Sequence, residues 1–163
     1  MVRRLLLGLL VAFGAIQFVP VERTNPPATA TLDAPANVRA ILERSCFDCH
    51  SHETRWPWYS RVAPVSWLVA NDVSNGREEL NFSTWDQYDA RRAARRIRDI
   101  PEEIEEGEMP LPNYLRIHPE AKISEVELAT LRSWAARYAG AESDDHEQSG
   151  RDHAEDALSG DGY

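Results

Sequence analysis

The chain has 163 residues, 42% of them hydrophobic, which suits one domain with a modest core. Its formal charge of −9 is uneven: residues 141–163 hold eight carboxylates against Arg151, about −7 of the total, so the acidity belongs to a tail. No internal repeat, glycine-rich phosphate loop or serine-histidine-acid arrangement is present, which removes the commonest nucleotide and acyl-transfer chemistries.

The N-terminus begins Met1-Val2-Arg3-Arg4 and then runs from Leu5 to Val19 with Gln17 as its one strongly polar residue. Positive charge followed by an apolar run inserts with the arginines in the cytoplasm and sends the rest across the membrane. As a helix, Leu5 to Val21 would span about 26 Å, slightly under a bilayer core of about 30 Å, a mismatch that local thinning absorbs. Ala28-Thr29-Ala30 offers a cleavage site rather far from the apolar run, so residues 1–21 are expected to stay as a signal-anchor on the periplasmic side of a bacterial inner membrane; cleavage would leave a periplasmic protein. Residues 22–34, with Asn25-Pro26-Pro27, read as an extended linker, 35–140 as the folded domain and 141–163 as a disordered acidic tail.

Within the domain the apolar spacing is helical and no alternating strand pattern competes, so the expected fold class is all-α. Pro35 can begin a helix whose stripe is Val38, Ile41, Leu42 and Cys46. Pro64 can start a second, with Val65, Leu68, Val69 and Val73 on one side and Asn75-Gly76 closing it. Thr84 and Gln87 resemble a capping box for a third, turning Trp85, Tyr88, Ala94 and Ile97 inward until Pro101 interrupts it. Ser124 and Glu127 form an S-x-x-E box for the last, with Leu128, Leu131, Trp134, Ala135 and Tyr138 at helical spacing before Gly140.

The chain's two cysteines stand in Cys46-Phe47-Asp48-Cys49-His50, the C-x-x-C-H pattern of covalent c-type haem attachment. Two thiols at this spacing add across the vinyl groups of one porphyrin, and the following imidazole reaches the iron. A redox dithiol would sit in a strand-helix-strand setting, and a structural zinc site would need a second ligand pair; the sequence offers neither. His52, two positions on, is read as solvated or supporting.

Apart from Met1 the chain has a single methionine, Met109, inside Gly107-Glu108-Met109-Pro110-Leu111-Pro112. A thioether favours ferrous iron, and a rigid proline loop lowers the entropy cost of holding it, so Met109 is the expected distal ligand, with His118 as rival. If neither binds, the iron is five-coordinate and open to small ligands or peroxide. Trp56, Trp58, Tyr59 and Tyr114 are candidate walls of the haem crevice, with Trp67 nearby, and Arg55 and Arg61 are weaker candidates for the propionates.

Arg91, Arg92, Arg95, Arg96 and Arg98 form a basic band followed by a glutamate-rich stretch. In an exported protein nucleic acid is not the partner, and the band reads as a solvated helix face or a docking patch for an acidic redox partner.

Together Cys46-Phe47-Asp48-Cys49-His50-Ser51-His52-Glu53-Thr54, Trp56-Pro57-Trp58-Tyr59, Ala63-Pro64, Val65-Ser66-Trp67, the Gly107-Glu108-Met109-Pro110 loop, Tyr114, His118-Pro119 and the helix containing Trp134 resemble the bacterial haem-binding domain family of small exported cytochrome-c-like proteins. The resemblance spans Asn37 to Tyr138. It implies one covalent haem c on Cys46 and Cys49, His50 as proximal ligand and Met109 as distal ligand. The resulting expectation is a monomeric monohaem electron carrier with redox protein partners and no enzymatic activity; a haem peroxidase or small-ligand sensor with an open distal site is the alternative.

Overall fold

A computed structural model describes residues 1–138; the expected acidic tail and the Gly140 helix stop lie outside the described residues. Among the described residues every regular element is helical, and the one strand-like feature is an isolated parallel bridge between Ala30 and Thr84. The expected all-α class therefore stands. The helices are α1 (Val2–Ile16), α2 (Ala36–Ser45), α3 (Phe47–His50), α4 (Val65–Glu79), α5 (Ala90–Glu105), α6 (Pro112–Leu115) and α7 (residues 125–138). Among the described residues they divide into two compact units, residues 1–32 with 46–85, and residues 33–45 with 86–138.

In the first unit α1 is shorter than its apolar run. It has 15 residues, about 22 Å at 1.5 Å per residue, and ends before Gln17, so it does not continue to Val21 as expected. The reason is a tertiary contact: the Gln17 side-chain amide donates to the Ala63 carbonyl at 3.2 Å and accepts the Ala63 N–H at 2.9 Å, fixing the chain where the helix stops. Every side chain from Val2 to Ala15 is exposed. No helix among the described residues is long and apolar enough to cross a membrane.

The expected linker is extended, yet it is bound along most of its length. Arg23 donates to the Ser60 carbonyl, Asn25 to the Thr54 carbonyl, and the Thr29 and Leu32 amides to Ser83 and Phe82. Arg77 joins four groups, donating to the Ser51 and Thr24 carbonyls at 2.8 and 2.9 Å, Thr54 Oγ1 at 2.9 Å and Asn25 Oδ1 at 3.1 Å. A guanidinium, with five donors in a planar fork, is the side chain suited to such a junction.

α4 packs against α3 and the 3₁₀ turn Trp58–Arg61. Its buried seam is Ser66, Val73 and Gly76, which corrects the expected stripe: Val65 is exposed and Leu68 is 62% exposed. Gly76 does not close the helix, which runs on to Glu79. A Cβ on Gly76 would meet the Cys49 carbonyl oxygen at 2.8 Å, so the residue type serves a close approach between α4 and the cysteine turn.

In the second unit α2 buries Val38, Ile41 and Leu42 as its periodicity predicts, while Cys46 falls outside it. α5 starts later than expected: Trp85–Gln87 is a 3₁₀ turn, and the N-cap is Asp89, whose carboxylate accepts the Arg92 N–H at 2.7 Å. The inward face becomes Ala93, Ile97, Ile100 and Pro101, and the helix passes through Pro101 with that ring buried. At Gly107, with φ +78°, the chain leaves the helix in the left-handed region where glycine is favoured, and the Glu108 and Met109 amides both donate to the Glu103 carbonyl.

α7 carries its capping box as read. Ser124 N–H and Oγ each lie 2.8 Å from Glu127 Oε2, and Glu127 N–H donates to Ser124 Oγ at 3.4 Å. Leu128, Leu131, Trp134 and Ala135 are buried. Arg44 of α2 reaches Glu127 at 2.6 Å and, with two Ser124 bonds, holds that carboxyl down to about 2.

Candidate functional site

The site is built where α2 ends and the chain reverses. Cys46 has left helical geometry, at φ −125° and ψ −35°, and caps the single turn of α3, whose Cys49 and His50 amides donate back to the Cys46 carbonyl at 3.1 and 2.9 Å. Cys46 and Cys49 are not joined in a disulfide and are each half-buried, Cys46 at the cap and Cys49 within the single turn of α3. Asp48 accepts the Arg55 guanidinium through both oxygens at 3.1 Å, which ties the chain after the motif back to it. Arg55, a propionate candidate from sequence, is thus engaged by the motif itself, and Arg61 is exposed.

His50 is the most constrained group. Its Nδ1 lies 2.8 Å from the Gly76 carbonyl and 3.0 Å from the Leu80 carbonyl, so Nδ1 carries the proton and donates to the last turn of α4. Nε2 is then left with a lone pair, the form in which a histidine binds metal. Burial pushes the imidazole below its ordinary pKa, partly offset by the Leu80 and Gly76 carbonyls, and the neutral ring is favoured. Phe82 stands edge-on to His50 at 6.5 Å, and Phe82 stacks with Phe47 at 5.2 Å and Trp85 at 6.4 Å.

Burial pushes the Cys49 thiol up to about 11, with Asp72 and Asp48 adding to the rise and Arg77 opposing it. A dithiol that works by attack as thiolate needs the opposite, a lowered pKa. Nor do the described residues hold any group of three or more His, Cys, Asp or Glu side chains placed to bind a metal ion, as a zinc centre would need. The donors present fit a haem: two thiols three residues apart, followed by an imidazole whose far nitrogen is tied to backbone.

The other sequence candidates fall as follows. Trp56 is half-buried and its indole N–H donates to Asn25 Oδ1 at 3.2 Å; Trp58, 78% exposed, meets Tyr59 edge-on at 5.9 Å. His52 is held between the Pro27 carbonyl at 3.3 Å and the Asn81 amide at 3.0 Å, a supporting role. In the second unit Met109 is half-buried in its loop, and Tyr114 stacks on His118 with ring centres 4.4 Å apart. His118 Nδ1 also pairs with Glu120 at 3.1 Å. Sequence reasoning missed Gly76, Leu80, Arg77 and Phe82. Of these only the glycine carried a signal, a small residue inside an otherwise continuous helical pattern.

A family model described as a haem-binding domain matches residues 11–137. No curated protein and no solved structure matches the chain.

Proposed function

The chain belongs to the haem-binding domain family, and from that membership we propose that it is a monohaem c-type electron carrier. Cys46 and Cys49 would hold one porphyrin through thioethers, and His50 Nε2 and the Met109 sulfur would be the iron's protein ligands. The observation that carries this reading is the pair of backbone carbonyls on His50 Nδ1, at 2.8 and 3.0 Å, beside the half-buried Cys46 and Cys49. When bound, the haem supplies a one-electron ferric/ferrous couple. The protein's part is to keep the imidazole neutral and correctly turned, so that little rearranges when the charge on the iron changes.

Met109 enters on the chemistry of its loop. The Glu108 and Met109 amides anchored on Glu103, and the left-handed Gly107, hold the backbone leading into a half-buried thioether. A soft neutral donor raises the reduction potential relative to a second imidazole, as suits a carrier. Export, with α1 keeping the protein at the outer face of the inner membrane, is part of the same proposal. It rests on Arg3-Arg4 and a helix whose side chains from Val2 to Ala15 are exposed.

The test is intact mass with a pyridine haemochrome spectrum, on protein made where haem is attached. The mass should exceed the bare polypeptide by one haem, and Cys46→Ala should leave one thioether; protein of unmodified mass would end the proposal. Met109→Ala should lower the potential and open the iron to carbon monoxide. If untreated wild-type protein already binds carbon monoxide rapidly, a ligand-binding or peroxidase role replaces electron transfer.

A further inference from the structure

The charges of α5 run against its own dipole. A helix carries partial positive charge at its N-terminus and partial negative charge at its C-terminus, so anions suit the first turn and cations the last. In α5 the order is inverted: Arg91, Arg92, Arg95, Arg96 and Arg98 come first, and Glu102, Glu103 and Glu105 close the helix. Like charges also sit one turn apart, Arg91 with Arg95, Arg92 with Arg96, and Arg95 with Arg98. Local relief comes from the Tyr88 ring 5.0 Å from the Arg92 guanidinium and from Asp99 at 3.4 Å from Arg98. Arg91, Arg92, Arg95 and Arg98 are exposed, opposite the buried Ala93, Ile97 and Ile100. A helix charged in this way is stabilised by an external anionic partner along its arginine ridge.

The chain supplies such an anion. Glu142, Asp144, Asp145, Glu147, Asp152, Glu155, Asp156 and Asp161 follow α7 with Arg151 as the only cation among them. These eight carboxylates follow directly on α7 and are opposite in sign to the five arginines of α5, and being part of the same chain they stay near the ridge without a separate encounter.

We propose that the acidic C-terminal segment, residues 141–163, is the occupant of the α5 arginine ridge. It acts as a built-in counter-charge that any acidic protein approaching this face must displace. The inference stands apart from the haem reading, and its test reads arginine side chains, so either can fail without the other.

The experiment compares the full chain with one ending at residue 140, following the side-chain N–H resonances of Arg91, Arg95 and Arg98. At about 10 mM salt, where screening acts over about 30 Å, these signals should differ between the two chains; at about 1 M, with screening near 3 Å, they should coincide. A synthetic peptide of residues 141–163 added to the shortened chain should restore the full-length positions, and the triple variant R91Q/R95Q/R98Q should bind it at least tenfold more weakly. These substitutions remove exposed charge and mutual repulsion, so the variant should melt no lower than its parent, which keeps loss of binding distinct from loss of fold. Identical low-salt spectra would overturn the proposal. So would a ridge that binds a polyglutamate probe but not the tail peptide, which would assign the face to an external acidic protein.

Discussion

Gly76 shows how one missing side chain sets the geometry of the site. Because its Cα lies against the Cys49 carbonyl, α4 comes close enough for its Gly76 and Leu80 carbonyls to take the His50 proton. Gly76→Ala would place a Cβ 2.8 Å from a backbone oxygen and 3.1 Å from Cys49 Cβ, neither of which belongs to a flexible side-chain end. The expected cost is about 1–3 kcal/mol of overpacking, with a fall in melting temperature and poorer haem incorporation. Gly8→Ala, which meets nothing within 4 Å, should change neither. The thiols give a second check. With Cys49 pushed up to about 11, the haem-free chain should alkylate there at pH 8 roughly a hundredfold more slowly than a thiol of ordinary pKa. Fast alkylation of Cys49 would restore the redox-dithiol reading.

Among the elements, α7 and α5 differ in how their starts were encoded. α7 opens with a reciprocal Ser124–Glu127 box, two side chains that satisfy each other's backbone amides, so its start is legible from four residues. Glu127 also accepts Arg44, and its carboxyl sits at about 2, well below the ordinary value of 4.5. A carboxyl depressed on folding contributes stability that is complete above its unfolded pKa and lost as pH falls through the folded one. The chain should therefore lose stability between about pH 4.5 and pH 2, and Glu127→Gln should flatten that part of the profile in a melting series. For α5 the expected box, Thr84-x-x-Gln87, gives way to a second start at Asp89. The first lost because Trp85 is drawn to Phe82 and its amide to the Ala30 carbonyl, contacts made within the other unit. That choice was tertiary, and it shifted the inward face of α5 from Ala94 to Ala93.

At the scale of the whole molecule, the segment before α2 is a strap rather than a loose tether. Arg77 binds four groups drawn from residues 24–25 and 51–54, and Asn25 adds bonds to Thr54 and Trp56. Arg77→Ala should release residues 22–28 to protease under native conditions while leaving α7 protected. Resistance equal to the parent chain would show that the neighbouring amide bonds suffice. Sequence composition marked this stretch as extended because Asn25-Pro26-Pro27 forbids a helix, but composition has no access to what an extended chain lies against.

What the sequence determined by itself is the chemistry that depends on short spacing: two thiols and an imidazole within five residues, helical periods in α2 and α7, and the capping box. These are properties of neighbours along one chain and survive without tertiary context. Tertiary structure decided which nitrogen of His50 is tied, that Gly76 is a packing point inside α4, that Leu68 faces outward, and that α1 stops at Gln17 on an amide pair with Ala63. Each of these depends on groups many positions apart meeting at hydrogen-bond distance, and no local pattern of residues records such a meeting.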